Sequence, residues 1–391
     1  MIRLGIVGYG FRVSHLMRLS FRKVDPDIRV VGVVDPDEAG VLSRLEECDS
    51  KDVVFYDTLS EMMRHAKIDA LVIGTRCDLH SKYAIEAAKY DIPLFLEKPV
   101  ATSLDDAIKL EMNFAKAKCE VLVSFPLRVS SLCQLAKEYI DNGAVGKAEH
   151  VCATNYVPYG TVYWESFYRN YDCTQGLFVQ KGTHDIDYLI YLMGEPVKRV
   201  AAMDCKGRVF GGNKPSGLYC SKCQEAETCL ESPVNRKRNG SSTMIDDHLC
   251  VFGVDCGTPA DGMNEDSSSA LLEFASGAHG VYTQVFYSRR NAARRGAIIS
   301  GYNGTLEFDW YSGKFQHIWH HKPYSAEIKM DNQGDHFGGD MELAQNFINI
   351  IKGKEKSRAD MRVGLNSIYA CLAAKESTKT GMFVDVRQLS Y

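Results

Sequence analysis

Short apolar runs alternate with amphipathic segments along the first third of the chain. Residues 81–89 have helical spacing, and Ser103 opens a further predicted helix with a capping pattern. The runs between such segments are brief and apolar enough to be buried strands, namely residues 2–7, 29–34, 69–75, 92–97 and 121–125. Strand–helix alternation of this length predicts a doubly wound parallel sheet, which binds ligands at the carboxyl ends of its strands.

The rest of the chain follows a different pattern. Residues 180–194 predict a helix in which Thr183 is the N-cap, Ile186 and Leu189 lie on the buried face and Gly194 ends the helix. Three later runs predict strands separated by polar turns: residues 270–274, 280–286 and 304–309. Because 391 residues are too many for one ordinary core, we expect an α/β protein of two domains, residues 1–125 and 126–391.

Composition and charge exclude several classes of function. The chain is 45% apolar and 25% charged, as in an ordinary globular protein, and has a formal charge of −4. That charge provides no basic field for nucleic acid and no polybasic membrane anchor. No apolar run approaches the roughly 18–20 residues of a membrane span, and Arg3 followed by a strand-like run argues against a signal peptide. We expect a cytoplasmic protein that binds neither nucleic acid nor membrane.

The first predicted strand ends in a tight turn that contains Gly8 and Gly10. In a dinucleotide site such glycines let the backbone approach the pyrophosphate, which rests on the following helix N-terminus. The second strand ends at Asp35, and the stretch to Asp37 has two carboxylates and no arginine, which favours NAD over NADP. Val13 stands where a third small residue is usual, so we expect looser helix–strand packing there. Many α/β proteins that bind nothing have a similar turn, and this alternative stays open.

A lysine follows another predicted strand, in the stretch Glu97-Lys98-Pro99. At that strand end its ammonium would lie beside a nicotinamide and could lower the pKa of a substrate hydroxyl. With its other motifs, the chain resembles the glucose–fructose oxidoreductase / inositol dehydrogenase / MocA family over almost its whole length. The motifs appear in the family's order and at approximately its intervals: Gly8-Tyr-Gly10, Asp35, Thr75 and His80, Glu97-Lys98-Pro99, Arg128 and Gly182-Thr-His184-Asp-Ile-Asp187.

The resemblance implies a cofactor, a second domain and an assembly. The cofactor would be NAD, held by Gly8, Gly10, Phe11, Arg12, Asp35, Thr75, His80, Glu97 and Lys98. The C-terminal domain would be α+β, with a large, open, mostly antiparallel sheet that covers the active site with one face and pairs subunits with the other. A homodimer or homotetramer is therefore expected. Relatives usually have a proline after the threonine, whereas this chain has Arg76, which is expected to alter the loop beneath the cofactor.

His184 is the second candidate catalytic residue, beside Lys98. Its imidazole titrates near neutral pH and could accept a hydroxyl proton, although a half-buried histidine bonded to Asp187 is the simpler alternative. Well-studied relatives resemble Asp-x-x-x-His, but here Gln180 replaces the aspartate, and the neighbouring Lys181 is expected to lower the pKa of His184. We expect these residues to surround a small carbohydrate substrate: Arg128, Tyr156, Lys181, Asp187 and His336.

A group of cysteines has the spacing of a metal site. Its members are Cys220, Cys223, Cys229 and Cys250. Cys-x-x-Cys with two further thiols at loop spacing is typical of structural zinc, and a reducing compartment disfavours disulfides. A similar cluster also resembles that of a subset of the family. We expect zinc in an insertion near residues 205–256, with Cys205 and Cys256 as substitute ligands; an iron–sulfur cluster and unrelated free thiols are the alternatives.

Three functions remain open at this point. The first, which the resemblance favours, is NAD-dependent hydride transfer at a secondary hydroxyl of a sugar, polyol or glycoside. The second uses that hydride step transiently, because oxidation beside an acidic C–H allows elimination of a glycosidic leaving group, water addition and re-reduction. The third is a non-catalytic nucleotide sensor, against which the presence of both Lys98 and His184 argues.

Overall fold

The structure is a computed structural model that describes residues 1–239, 247–331 and 334–389. Its N-terminal part is a parallel sheet of six strands in the order β3-β2-β1-β4-β5-β6. The strands are β1 Arg3–Val7, β2 Arg29–Val34, β3 Val54–Phe55, β4 Ala70–Ile73, β5 Leu94–Leu96 and β6 Val121–Val123. This order confirms the predicted doubly wound sheet, in which the chain switches direction between β1 and β4.

Helices connect these strands. They are α1 Phe11–Leu16, α2 Arg22–Val24, α3 Glu38–Arg44, α4 Glu47–Ser50, α5 Leu59–His65, α6 His80–Ala87 and α7 Leu104–Phe114. A π-helical stretch, Met17–Phe21, joins α1 to α2 without a break in the helix. Ser103 caps α7 as predicted, because its hydroxyl accepts a hydrogen bond from the Asp106 backbone N–H at 3.2 Å.

The second sheet has nine strands in the order β14-β13-β12-β11-β7-β10-β9-β8-β15. Only β7 and β10 are parallel neighbours; the other described pairs are antiparallel. The strands are β7 Ala148–Tyr156, β8 Val197–Cys205, β9 Ser267–Phe274, β10 His279–Val285, β11 Arg294–Gly301, β12 Gly304–Asp309, β13 Lys314–Trp319, β14 Ser325–Lys329 and β15 Val384–Asp385. This sheet confirms the expected C-terminal architecture.

The helices of this second part bind the two sheets together. They are α8 Pro126–Val129, α9 Ser131–Asp141, α10 Val162–Glu165, α11 Tyr171–Thr174, α12 Thr183–Met193, α13 Pro233–Arg238, α14 Gly339–Ile351 and α15 Met361–Thr380. The long helix α15 packs against β8 and α12 and also against α7 and β6. One continuous apolar core therefore runs from the parallel sheet into the large sheet. Among the described residues, no helix combines the length and apolarity that crossing a bilayer requires.

The predicted helix at residues 180–194 differs from expectation at its start. The chain is already helical at Phe178–Gly182, a π-helical stretch that continues directly into α12. Thr183 therefore does not cap a free helix end, and its hydroxyl instead contacts the Ser367 hydroxyl at 3.0 Å. Gly194 ends the helix as predicted, in the left-handed region at φ 75°.

The structure does not support the expected zinc site. Cys220, Cys223, Cys229 and Cys250 lie near enough to influence one another's ionisation. Within the described ranges, however, no group of three or more His, Cys, Asp or Glu side chains is arranged to hold a metal ion. Protein contacts anchor the segment instead: the Arg169 guanidinium, for example, donates to the Cys250 carbonyl at 2.8 Å.

Candidate active site

Two adjoining cavities form a trough along the carboxyl ends of the parallel strands. The first, of about 780 Å³, lies over β1, β2 and β4, and the second, of about 510 Å³, lies between the parallel sheet and the C-terminal part. They meet at five shared residues, namely Phe11, Gly74, Thr75, Arg76 and Phe167. A parallel α/β sheet binds ligands at this edge, so the trough is the candidate site.

The first cavity contains the predicted dinucleotide residues Gly8, Gly10 and Asp35. Gly8 has a φ of +83°, and a Cβ there would lie 2.7 Å from the Thr75 backbone, so only glycine fits. A Cβ on Gly10 would meet no atom within 4 Å and would project into open space. Asp35 is fixed by accepting a hydrogen bond from the Tyr9 N–H at 2.9 Å. This backbone leaves the space that a dinucleotide needs.

The start of α1 adds unpaired donors to this cavity. Gly10 is the N-cap and offers no side-chain acceptor to the first-turn N–H groups, which include those of Phe11 and Arg12. The Arg12 side chain is engaged elsewhere: its guanidinium holds both carboxylate oxygens of Asp340 at 2.7 Å and donates to Glu97 at 3.0 Å. Arg12 can therefore contact a phosphate only through its backbone.

The loops after β4 and β5 are joined beneath the second cavity. His80 is buried, and its two ring nitrogens lie 2.8 Å from the Pro99 carbonyl and 3.1 Å from the Thr75 carbonyl. Burial lowers the pKa of His80, against the effect of the two carbonyls, and a neutral ring donates its one N–H to only one of them at a time. Thr75, His80 and Glu97 all line this cavity, and His80 acts on the site by holding the two loops in place.

Lys98 reaches across the trough to the C-terminal part of the chain. Its Nζ donates a hydrogen bond to the Gln180 carbonyl at 2.7 Å. Burial, and to a lesser extent the Lys181 charge, lower the pKa of Lys98 to about 8. An ammonium with that pKa is charged at neutral pH but loses its proton more easily than an ordinary lysine.

His184 lines the same cavity from α12. It is only 5% exposed, its Nδ1 has no hydrogen-bond partner among the described residues, and the Phe125 ring packs edge-on against it. Burial and then the charge of Lys98 hold the pKa of His184 well below its usual value. The imidazole is therefore neutral. The direction of the shift agrees with the expectation that Lys181 lowers the pKa of His184.

Three residues that the sequence did not indicate complete this wall: Tyr159, Arg295 and Tyr311. Tyr159 accepts a hydrogen bond from Lys181 Nζ at 2.9 Å. Arg295 is 2% exposed and donates to Asp185 at 2.9 Å, while its Nη2 has no partner among the described residues. A signal for Tyr159 existed, because residues 157–171, directly after β7, contain four tyrosines.

Three of the expected substrate residues lie away from the cavities. Arg128 and Asp187 form a buried bidentate ion pair, with N–O distances of 3.0 and 2.7 Å, which satisfies both side chains. Tyr156 is the last residue of β7, where it pairs with Val285 and Arg294. None of the three belongs to the described cavity lining. The hypothesis that they surround the substrate therefore has no support from the geometry.

The other two expected substrate residues, Lys181 and His336, do line the second cavity. His336 and Phe337 adopt left-handed backbone angles, with φ of 46° and 57°, which cost energy in residues that have a Cβ. The His336 ring donates a hydrogen bond from Nδ1 to the Asp340 carboxylate at 3.0 Å, and it lies 5.7 Å from the His184 ring. The strained turn thus brings a second imidazole to the first.

Arg76 closes the middle of the trough. Its guanidinium carbon lies 3.3 Å from the centre of the Phe167 ring, so a loop of the parallel sheet touches a loop of the C-terminal part. This contact is where a proline is expected from the family pattern. Arg76 thus forms a cation–π contact at the trough, and the altered loop beneath the cofactor stays a prediction.

Sequence comparison decides the family. The model of an oxidoreductase family with an NAD-binding Rossmann fold matches residues 2–125, and that of the family's C-terminal alpha/beta domain matches residues 137–386. The chain belongs to this oxidoreductase family. Within it, the Bacillus subtilis protein YteT is 24% identical over 354 residues, which cover 79% of this chain and 80% of YteT. Myo-inositol 2-dehydrogenase of Thermotoga maritima is 27% identical over 257 residues, which cover 65% of this chain and 71% of that enzyme.

The fold of this family member is also that of a solved dehydrogenase. The structure of levoglucosan dehydrogenase in complex with NADH and L-sorbose superimposes with a TM-score of 0.75 over 100% of both chains, at 16% identity. At that identity the likeness shows the shared fold. It agrees with the two-sheet architecture described above.

Proposed function

We propose that this oxidoreductase transfers a hydride between NAD and a secondary hydroxyl of a sugar, polyol or glycoside. The observation that supports it most strongly is that Lys98, after β5, and His184, on α12, line one cavity that adjoins the cavity of the glycine turn. The names of relatives that act on inositol and levoglucosan support the same substrate class. When bound, NAD supplies the hydride acceptor.

The residues of this chain would bind and orient the reactants. The glycine turn and the start of α1 would hold the pyrophosphate, and Asp35 would hold the adenosine ribose. Thr75 and Glu97 would lie along the nicotinamide ribose. Lys98, charged at neutral pH, would hold the reacting oxygen and stabilise negative charge on it. His184 would hydrogen-bond to the same oxygen.

A second candidate is the glycoside hydrolase that oxidises its substrate only transiently. Gln180 replaces the aspartate of well-studied relatives, and its side-chain oxygen has no partner among the described residues. Elimination needs two acid–base groups, one for the C–H proton and one for the leaving group. The imidazole of His184 and the hydrogen-bonded pair of Lys181 and Tyr159 would supply them.

One assay separates these functions. The protein is incubated with NAD and a panel of sugars, inositols and nitrophenyl glycosides while NADH and nitrophenol are followed together. The dehydrogenase accumulates NADH, whereas the hydrolase releases nitrophenol without net NADH. Lys98→Met is expected to lower kcat by about 10²–10⁴-fold and leave NAD binding in place, because it removes a proton-handling cation. Lys89→Met, on the exposed side of the parallel-sheet domain, is the matched control.

The assay also tests the third function. An NAD-binding protein that yields neither signal with any compound would contradict both enzymatic proposals. Full activity in Lys98→Met would contradict the role of Lys98, whereas NAD binding without any activity in wild type would favour the nucleotide sensor.

We further propose that the protein is a homo-oligomer that pairs through its large sheet. One cross-strand row of this sheet, set by its register, is apolar: Ala201, Leu271, Val281, Cys152 and Ile298. Leu271 is 50% exposed and Ile298 is 39% exposed, so the row lies on an uncovered face. Such a face is solvated or is an interface, and an apolar row favours the interface.

A further inference from the structure

The wall of the second cavity contains a tyrosine and a lysine in direct contact. Lys181 Nζ lies 2.9 Å from the Tyr159 hydroxyl and 5.2 Å from the centre of its ring. Lys181 is 4% exposed, whereas Tyr159 keeps 40% of its surface exposed and lines the cavity. The phenol is therefore held by a buried ammonium and is still open to a ligand in the trough.

The groups around this pair are mostly cations. Arg295 and Lys98 act on it electrostatically from β11 and from the end of β5, and Asp185 on α12 acts in the opposite sense. Burial alone would raise the pKa of the Tyr159 phenol, but the charges of Lys181 and Arg295 outweigh burial and lower it. Two further phenols face Tyr159, those of Tyr163 and Tyr311, and burial raises the pKa of both, so they remain neutral.

Lys181 and Tyr159 titrate as a unit because they share a hydrogen bond. Burial lowers the pKa of Lys181 as well, so the pair releases its first proton at a lower pH than an isolated tyrosine or lysine. Once that proton has left, the pair can take one back from a ligand. Tyr159 lines the cavity, so a ligand in the trough can reach this side chain.

The same positive field has the opposite consequence for His184. Burial comes first, and the charges of Lys98, Arg295 and Lys181 then disfavour the imidazolium. A histidine whose pKa is held far below neutral is a weak base, since its protonated form is the one the field opposes. The same cations lower the pKa of the phenol, so a larger fraction of Tyr159 is present as the anion, which is its proton-accepting form.

We propose that the Tyr159–Lys181 pair is the proton acceptor of this site and that His184 serves as a neutral hydrogen-bonding group that positions the substrate hydroxyl. This inference rests on the proposed function. In alcohol oxidation, the O–H bond of the substrate breaks and its proton bonds to the phenolate oxygen of Tyr159, while the hydrogen on the same carbon leaves with its electron pair to the bound NAD. Lys181 remains an ammonium, and the phenol later returns the proton to solvent through its exposed edge.

A titration without substrate tests the pair directly. The tyrosinate ultraviolet band is followed against pH in wild type, Tyr159→Phe, Lys181→Met and the control Tyr302→Phe, which removes a phenol that is 79% exposed. The difference between the titration curves of wild type and Tyr159→Phe is expected to show one phenol with a pKa below the ordinary value of about 10. In Lys181→Met the pKa of this phenol is expected to lie above about 10. A Tyr159 phenol that ionises at the ordinary value, or that ignores Lys181→Met, would overturn the proposal.

Kinetics test its role in the reaction, with a compound that yields NADH in the assay above. Wild-type kcat/KM for oxidation is expected to rise with pH as the pair loses its first proton. Lys181→Met is expected to shift this rise to higher pH. Tyr159→Phe is expected to remove the rise and to lower kcat/KM by about 10²–10⁴-fold. His184→Asn is expected to lower kcat/KM without changing the pH at which the rise occurs. A rise of kcat/KM with pH that is shifted in His184→Asn and unchanged in Tyr159→Phe would contradict the proposal. If no compound yields NADH, the proposed function fails, while the titration still decides whether the pair ionises as described.

Discussion

At the scale of single residues, the packing of the glycine turn depends on two positions rather than one. Val13 replaces the usual third small residue, yet it is fully buried against the chain just after β4. A Cβ on Gly74 would lie 2.1 Å from Val13 Cγ2, so the missing side chain of Gly74 leaves the room that Val13 fills. The looser packing that we expected from Val13 alone was wrong, because the space is provided from the opposite side.

Substitution of Gly74 tests whether its missing side chain leaves the room that Val13 fills. Gly74→Ala is expected to lower the free energy of unfolding by about 1–3 kcal/mol, since overpacking forces neighbours to move. The double variant with Val13→Ala is expected to recover much of that loss. Urea denaturation measures both. Gly10→Ala is the matched control, because its Cβ would meet open space. A Gly74→Ala protein as stable as Gly10→Ala would contradict the account.

The candidate site could be predicted from the sequence as far as its motifs reach. Lys98 comes just after a predicted strand, and Lys181 and His184 lie near the start of a predicted helix. All three line the same cavity. The pairing of Arg128 with Asp187 could not be foreseen, because two charges 59 positions apart in the chain satisfy each other only in the folded state. Their absence from the cavity follows from that pairing.

At the scale of elements, strongly periodic segments were predictable and short or interrupted ones were not. β3 has two residues, too few to show a pattern. The π-helical stretch before α12 arises from the packing of Phe178 and Val179 into the core, which local capping signals do not reveal. Tyr159 was missed for a related reason: the tyrosine-rich segment after β7 turns into the cavity only beyond the strand end.

The exposed face of the nine-stranded sheet is where we predict that subunits pair. Leu271→Lys is expected to convert an oligomer into monomers, because it places a charge in the middle of the apolar row. Met112→Lys, at a 65% exposed methionine on α7, is the matched control and is expected to leave the assembly intact. Sedimentation analysis measures the oligomeric state of wild type and of both variants. A wild-type monomer, or an oligomer unchanged by Leu271→Lys, would contradict pairing through this face.

At the scale of the whole molecule, contacts between distant parts of the chain build the site. The Arg12–Asp340 pair joins residues 328 positions apart, and the hydrogen bond from Lys98 to the Gln180 carbonyl joins residues 82 positions apart. Helix α15 packs on elements of both sheets and fixes their relative placement. The sequence predicted Lys98, Lys181 and His184 for the site, but only the folded chain shows that Tyr159, Arg295 and Tyr311 line the same cavity.

The central claim is that a nicotinamide lies in the second cavity, beside the Lys98 ammonium and the His184 imidazole. A crystal structure of the protein with NAD tests it most directly. The account predicts the pyrophosphate at Gly8 and Gly10, the adenosine ribose at Asp35, and the nicotinamide ring in the second cavity, next to the place where Lys98 and His184 would hold the substrate oxygen. A dinucleotide bound elsewhere, or a nicotinamide ring out of reach of both side chains, would contradict it.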